Sequence, residues 1–265
     1  PLCESAIVGA GVGLSVMGYK TMIEMQFSDF VSEAMTQICN QVAKLNYRWG
    51  QNVDMVLRMP TGAGVNAGPF HSQSTESWFT RIPGLKVIYP SNAYDAKGML
   101  LQAFEDPNPV LFFEHKALYR SQESEVPENY YTVPFGAAAL LTEGIELTIV
   151  TYGLGVRWVQ DWMSNNTHVS ADIIDIRSLV PLDSESIAES VKKTGRCIIV
   201  QEDVFRGGIG NDISQIIQSK CFKYLDAPVA VVSSIETPIP FAASLEEGYL
   251  PINRLEKAIN DLLNF

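Results

Sequence analysis

Short runs that are apolar at consecutive positions alternate with helical stretches along nearly the whole chain, and this alternation limits the fold more than any other feature. Residues 53–58, 109–114, 146–152, 171–176 and 197–201 are runs of this kind, with further strands expected at 20–25, 86–89 and 229–232. A strand that is apolar on both faces must be covered on both faces, as in a mainly parallel sheet held between helical layers. Helices are expected at 4–17, 29–47, 75–81, 92–105, 155–163, 184–193, 210–219 and 252–263. The first of these is small-residue and apolar, which predicts a buried helix stopped by Gly18. In the second, Asp29 reads as an N-cap, and Phe30, Met35, Ile38, Val42 and Leu45 recur near the helical period. The pattern breaks over residues 115–135, a polar stretch holding Glu123, Glu125 and Glu128 among serines and prolines. The expectation is an α/β protein of two doubly wound domains: residues 1–120, a linker over 121–135, and residues 136–265.

Composition removes several classes of function. The 19 Lys+Arg against 30 Asp+Glu leave a net charge of −11, the wrong sign for a groove that displaces phosphate counterions, so no nucleic-acid partner is expected. A hydrophobic content of 46% with 18% charged residues supplies a core and excludes a disordered chain. The apolar stretch at 6–18 is too short for a bilayer, which takes about 20 residues, and no basic segment precedes it as in a signal peptide. Cys3, Cys39, Cys197 and Cys221 are scattered without a CxxC pair, as expected of reduced thiols rather than a disulfide framework or zinc site. The sequence starts at Pro1 without a methionine, which suggests a truncated chain or the second half of a longer one.

Two glycine-rich segments invite a ligand reading. Gly9-Ala10-Gly11-Val12-Gly13 is one residue short of a dinucleotide fingerprint and lies inside a helical stretch, so close helix packing explains it better. The segment from Pro60 through Gly62, Gly64 and Gly68 to His71-Ser72-Gln73-Ser74 is a loop between a strand and a helix. Open parallel sheets place ligands at the carboxyl ends of their strands, where such a loop would present its imidazole. Spacing alone leaves His71 open between a proton-transfer group and a loop-packing residue. It leaves Glu4 equally open, between a charge favoured by the helix dipole and a carboxyl that meets a ligand.

Longer motifs carry a resemblance. Residues 1–9 (PLCESAIVG), 24–30 (EMQFSDF), 70–74 (FHSQS), 83–87 (PGLKV), 95–98 (DAKG), 108–114 (NPVLFFE) and 175–183 (DIRSLVPLD) occur in order along the chain. Together they strongly resemble the β subunit of thiamine-diphosphate-dependent 2-oxo acid dehydrogenases. The resemblance implies a pyrimidine-binding domain followed by a transketolase C-terminal-type domain, and an oxidoreductase active only with its α part. It further implies that Glu4 hydrogen-bonds N1′ of the cofactor's aminopyrimidine and that Phe30 stacks on that ring. Gln26 would line the same pocket, and His71 would act near the substrate end, donating a proton as the acyl group passes to a lipoyl sulfur.

The family's magnesium–diphosphate motif, G-D-G followed by asparagines, is not in this chain. The resemblance therefore assigns thiamine diphosphate to a site shared with an α subunit or α half that holds Mg2+. It also implies a β–β contact, a lipoyl-bearing dihydrolipoyl acyltransferase as a partner, a small 2-oxo acid as substrate, and a potassium ion near Ala103, Asp106 and Asn108. Segment 24–30 is closer to the branched-chain (2-oxoisovalerate) type than to pyruvate enzymes; pyruvate, acetoin or transketolase-like halves are the alternatives. Sugar-phosphate enzymes would want basic residues near the 60–74 loop, which is poor in them, and a non-catalytic scaffold would not need Glu4, Phe30 and His71 together. The resemblance implies the bacterial cytoplasm or the mitochondrial matrix, with no membrane contact.

Overall fold

The computed structural model describes residues 2–121 and 123–265. Pro1, which opens the first motif, and Gln122, in the expected linker, lie outside the described residues. The chain begins with helix α1 (Glu4–Val16) and strand β1 (Thr21–Glu24), then passes through a 3-10 turn (Ser28–Ala34) and a π turn (Gln37–Val42) into α2 (Leu45–Trp49). Next come β2 (Met55–Thr61), α3 (Ser77–Thr80), β3 (Lys86–Ile88), α4 (Ala93–Glu105), β4 (Val110–His115) and the single turn α5 (Leu118–Ser121). The second half runs β5 (Ala139–Thr142), β6 (Leu147–Thr151), α6 (Leu154–Asn165), β7 (Ala171–Asp175), β8 (Ser178–Val180), α7 (Ser184–Thr194) and β9 (Cys197–Val204). It ends with α8 (Ile209–Cys221), a short 3-10 turn (Phe222–Tyr224), β10 (Ala230–Ser234), α9 (Ala243–Tyr249) and α10 (Ile252–Leu263).

Two five-stranded sheets result, β1-β2-β4-β3-β8 and β10-β9-β6-β7-β5, each parallel except for one antiparallel edge strand. The α/β reading from the consecutive apolar runs therefore holds. The sheets are not independent, because β8 comes from the second half of the chain and edges the first sheet, with Val87 opposite Val180. One apolar core also runs across both, joining Met25, Leu57 and Phe113 to Val150, Ile174 and Ile213. Tyr89 stands at the seam, 5.9 Å from the Phe113 ring and 5.4 Å from Tyr152.

Three local expectations need correction. Helix α1 buries only Val8, Gly11 and Ser15. It is apolar all round, so one face packs on β1 and β2 while Ile7, Leu14, Val16 and Met17 stay exposed. Of its glycines only Gly11 is a packing glycine: a Cβ there would lie 2.3 Å from Ile23 Cδ1, whereas nothing lies within 4 Å of one at Gly9 or Gly13. The helix expected over 29–47 is broken into 3-10, π and α turns. Its buried stripe (Val31, Ala34, Ile38, Val42) keeps the helical spacing, which is the signal the sequence carried. At its start the hydrogen bonding departs from it, where Asp29 bonds Gln73 in the loop after β2 instead of capping a helix. The stretch 115–135 is not wholly irregular, since it starts in β4 and contains α5.

Candidate active site

Strands β1, β2 and β4 are parallel neighbours, so their carboxyl ends open onto one edge of the first sheet. Three segments meet there: residues 25–30 from the end of β1, the loop 62–74 from the end of β2, and Lys116 from the end of β4. The loop is tied down at both ends. The Thr61 hydroxyl donates to the Gln73 carbonyl (2.8 Å), and the Ser28 hydroxyl lies 3.0 Å from Thr61 Oγ1 and 3.1 Å from that same carbonyl. Asp29 Oδ1 accepts from the Gln73 amide (3.1 Å) and its side-chain Nε2 (3.0 Å). The second oxygen of Asp29, Oδ2, is buried and has no hydrogen-bond partner in the chain among the described residues.

His71 sits half-buried between two aromatic rings, 5.0 Å from Phe27 and 5.5 Å from Phe30, with Phe27 and Phe30 themselves 5.8 Å apart. All three pairs meet edge to face, the arrangement that aromatic quadrupoles favour. Lys116 completes the group: its ammonium donates to the His71 carbonyl and lies 5.0 Å from the centre of the Phe27 ring. Burial draws the Lys116 ammonium below the ordinary lysine range, against the opposing pull of Asp29, Glu202 and Glu246. Two of the residues singled out from the sequence, Phe30 and His71, are thus brought together. Glu4 is half-exposed in the first turn of α1, and the Ser5 hydroxyl beside it donates to the Glu33 carbonyl, docking this helix end on the turn that carries Phe30. Gln26 is exposed.

The half-exposed carboxylate at a helix start and the half-exposed Phe30 ring fit the aminopyrimidine end of thiamine diphosphate. Among the described residues the diphosphate end has no comparable seat. Among the described residues no three His, Cys, Asp or Glu side chains group to hold a metal, and the nearby cations are engaged: Lys116 with His71, and Arg58 with Glu24 and Glu114. Ala103, Asp106 and Asn108 do gather at the C-terminal end of α4, where Asp106 Oδ1 accepts from the Asn108 amide (2.9 Å) and side chain (2.8 Å). Burial would raise the Asp106 carboxyl, but Lys86 and Asn108 hold it below the usual range. Lys20 Nζ already donates to the Asp106 carbonyl at 2.6 Å, so a potassium ion using that carbonyl would share it with an ammonium.

Several residues of the site had no place in the sequence reading. Phe27 lies inside the 24–30 motif, and Lys116 closely succeeds an apolar strand, so both had a positional signal. Glu202 and Glu246 had none, because they reach the loop from 139 and 182 residues away. Glu202 Oε1 accepts from the Ala63 amide (2.7 Å) and the Ser74 hydroxyl (3.1 Å), and Oε2 sits 2.6 Å from His115 Nε2. Burial works to raise this carboxyl, yet His115 and the loop donors together hold it below the ordinary glutamate range. Further into the seam the balance reverses. Glu76, reached by the Tyr152 hydroxyl at 2.9 Å, is pushed up to about 8 by burial and by the neighbouring Asp203.

The motif at 175–183 is explained by the same seam. Arg177 adopts a left-handed backbone (φ 51°) while its guanidinium reaches Asp95 Oδ1 (2.9 Å) and the Ala137 carbonyl (2.7 Å). The Arg177 amide donates to Asp175 Oδ1 (3.0 Å), and burial pushes that carboxyl up to about 7. The arginine therefore pins α4 of the first domain to β7 of the second.

Comparison with known proteins agrees with this architecture. Residues 1–122 match the transketolase pyrimidine-binding domain, and residues 136–254 match the transketolase C-terminal domain. The chain is 40% identical to the 2-oxoisovalerate dehydrogenase β subunit of Bacillus subtilis, covering 100% of this chain and 83% of that one. It is also 40% identical to the mitochondrial 2-oxoisovalerate dehydrogenase subunit β 2 of Arabidopsis thaliana, covering 100% and 75%. The β subunit of acetoin:2,6-dichlorophenolindophenol oxidoreductase from Cupriavidus necator is 42% identical over 95% of this chain and 75% of its own. A split-gene transketolase solved as an inactive β4 tetramer superposes with a TM-score of 0.80 over 99% of this chain and 82% of its own; at 23% identity it shows the fold alone. By domain content and by identity along its full length, the chain belongs to the transketolase-like β-subunit family that includes the 2-oxoisovalerate dehydrogenases.

Proposed function

We propose that this chain is the β half of the decarboxylating component of a 2-oxo acid dehydrogenase, working with an α chain on a branched-chain 2-oxo acid. The acyl product passes to the lipoyl group of a dihydrolipoyl acyltransferase. The observation that carries this reading is the convergence of Phe30 and His71 at a sheet edge where the acidic start of α1 also docks. Thiamine diphosphate, when bound, supplies the electron sink that lets carbon dioxide leave the substrate. Glu4 shares a proton with N1′ of the pyrimidine, Phe30 offers a ring face to it, and Gln26 lines its approach. His71 stands at the substrate end and donates a proton to the lipoyl sulfur. The α chain brings the magnesium and diphosphate contacts, and two copies of this chain pair in the assembly. We place the boundary between the two domains within residues 121–135.

Acetoin cleavage is a second reading, supported by the 42% identity to the acetoin enzyme subunit. Both readings belong in the cytoplasm or the mitochondrial matrix, in keeping with relatives from a bacterium and a mitochondrion. Among the described residues no helix is long and apolar enough to cross a membrane. The test is co-expression with candidate α chains and assay of 2-oxoisovalerate, pyruvate and acetoin with an artificial electron acceptor. Preference for 2-oxoisovalerate is expected; activity on acetoin alone moves the assignment to the second reading.

A further inference from the structure

The loop after β2 has an alternating backbone. Gly62, Gly64, Asn66 and Gly68 all have positive φ, at 95°, 79°, 57° and 71°, while the residues between them do not. Alternation of this kind turns successive N–H groups toward one side and makes a concave anion seat. In many proteins such a seat takes a phosphate. Here it is filled from within the chain. Glu246, on α9 of the second domain and only 2% exposed, accepts from the Gly64 amide with Oε1 (3.0 Å) and from the Asn66 amide with Oε2 (2.8 Å). Glu202 takes the Ala63 amide just before them, and the Phe241 ring packs so tightly on Gly68 that a Cβ there would lie 2.2 Å from it. The next ordered bond along the loop is the His71 amide to the Gly68 carbonyl (3.4 Å).

We propose that Glu246 is a positioning residue for the reaction: a latch from the second domain that fills the anion seat of the loop and thereby sets where His71 presents its ring. The proposal rests on His71 acting at the substrate end of the site. Glu246 touches no reacting atom. It holds the middle of a segment whose far end carries His71, and a displacement of about 1 Å at a reacting group can lower a rate by about 10²-fold. The loop's other anchors grip both of its ends, Glu202 at residues 63 and 74, Lys116 at 71 and Asp29 at 73, so without Glu246 the glycine-rich part between them moves while both ends remain attached.

The experiment compares Glu246→Ala, Glu246→Gln and the unaltered chain in the complex with its α partner. Glu246→Ala should slow transfer to the lipoyl domain by about 10- to 100-fold and change decarboxylation with an artificial acceptor by less than about 3-fold. Glu246→Gln keeps one acceptor oxygen and should recover part of the transfer rate. Amide hydrogen exchange on the full chain should rise over residues 62–71 and nowhere else. Equal losses in both half-reactions, tracking a lower melting temperature, would overturn the proposal, as would unchanged exchange in the loop. If Glu246→Ala does not fold, Glu246→Gln and its exchange pattern decide the matter. Should the unaltered complex decarboxylate no 2-oxo acid, the functional reading fails, and the exchange result still judges the latch.

Discussion

The loop that carries His71 and the helix that carries Glu4 face the same sheet edge, yet they are finished to different degrees. Donors in the loop meet acceptors from three directions: Asp29 in its own domain, and Glu202 and Glu246 from the other one. Helix α1 is anchored by one buried stripe, the Ser5 bond and the Asp54 amide on Ser15 Oγ (2.6 Å), and presents Ile7, Leu14 and Val16 to solvent. The difference shows how the work is divided. On the proposed function, this chain would build the proton-donating, substrate-end side of the site by itself, and would leave the cofactor side with polar and aromatic groups for a second chain to cover.

The largest effects should come from the unfinished side. In the assembled enzyme Glu4→Gln is expected to lower decarboxylation by about 10²- to 10⁴-fold, the range for a positioned acid–base group, measured with an artificial acceptor. The stability of the chain by itself should change by no more than about 1 kcal/mol, because a half-exposed charge at a helix start contributes little more. Calorimetry on the chain alone should detect no micromolar binding of thiamine diphosphate; clear binding would mean that the cofactor side is already complete. His71→Ala should slow transfer to the lipoyl group more than decarboxylation, and equal losses would move His71 to an earlier step.

The seam comes next in size. Arg177→Ala leaves the buried Asp95 carboxylate without its guanidinium, and breaking a buried pair from one side costs about 3–5 kcal/mol. Thermal unfolding of the full chain should show that loss, and a drop below about 1 kcal/mol would mean that the β3–β8 pairing holds the domains unaided.

The buried acids of the seam also set a pH trend. Glu76 is raised to about 8, Asp175 to about 7 and Asp203 to about 6, burial being the first cause in each. A carboxyl with a raised folded pKa contributes stability that is fully present below its unfolded value and is lost as pH climbs through the folded one. Those three therefore weaken the fold between about pH 5 and 8, a window set by ordinary and raised carboxyl values. Glu202, Asp172 and Asp183 are depressed and act in the opposite sense, losing their contribution as acid is added. Denaturant midpoints across this range should fall with rising pH, and Glu76→Gln should flatten the fall. An unchanged slope in that variant would mean that Glu76 is already ionised in the folded chain.

The same contrast between loop and helix separates what was legible in the sequence from what was not. The two-sheet fold was legible, because strands buried on both faces leave consecutive apolar residues. Phe30 and His71 were legible through motif resemblance, and the carboxyl-edge rule places both of them at the end of β1 or β2. The exposure of α1 was hidden, since a helix that is apolar all round looks the same whether its own chain or another one covers it. Contacts across 139 or 182 residues, such as those of Glu202 and Glu246, come only from docking the two sheets. The 3-10 start of the segment after residue 28 was hidden for a related reason: Asp29 reaches Gln73, a partner outside its own segment.

The smallest effect is the most direct probe of the uncovered helix, because the three glycines of α1 differ only in what stands over them. At Gly11 a methyl group would press on Ile23 Cδ1 and Met55 Cε, 2.3 and 2.9 Å from its position, so Gly11→Ala overpacks the buried stripe. Forced methyl groups in tight cores cost about 1–3 kcal/mol, and the flexible ends of these two side chains place this one toward the lower figure. At Gly9 and Gly13 nothing lies within 4 Å, so an alanine there only removes the entropy a glycine loses in a helix. Each should stabilise the chain alone by about 0.5–1 kcal/mol in denaturant unfolding. In the α-containing assembly the order should invert: if the partner packs closely over the exposed face, Gly9→Ala and Gly13→Ala will weaken association while still stabilising the free chain. Stabilisation in both states would show that the partner leaves α1 bare, and that the cofactor side of the site is closed from elsewhere.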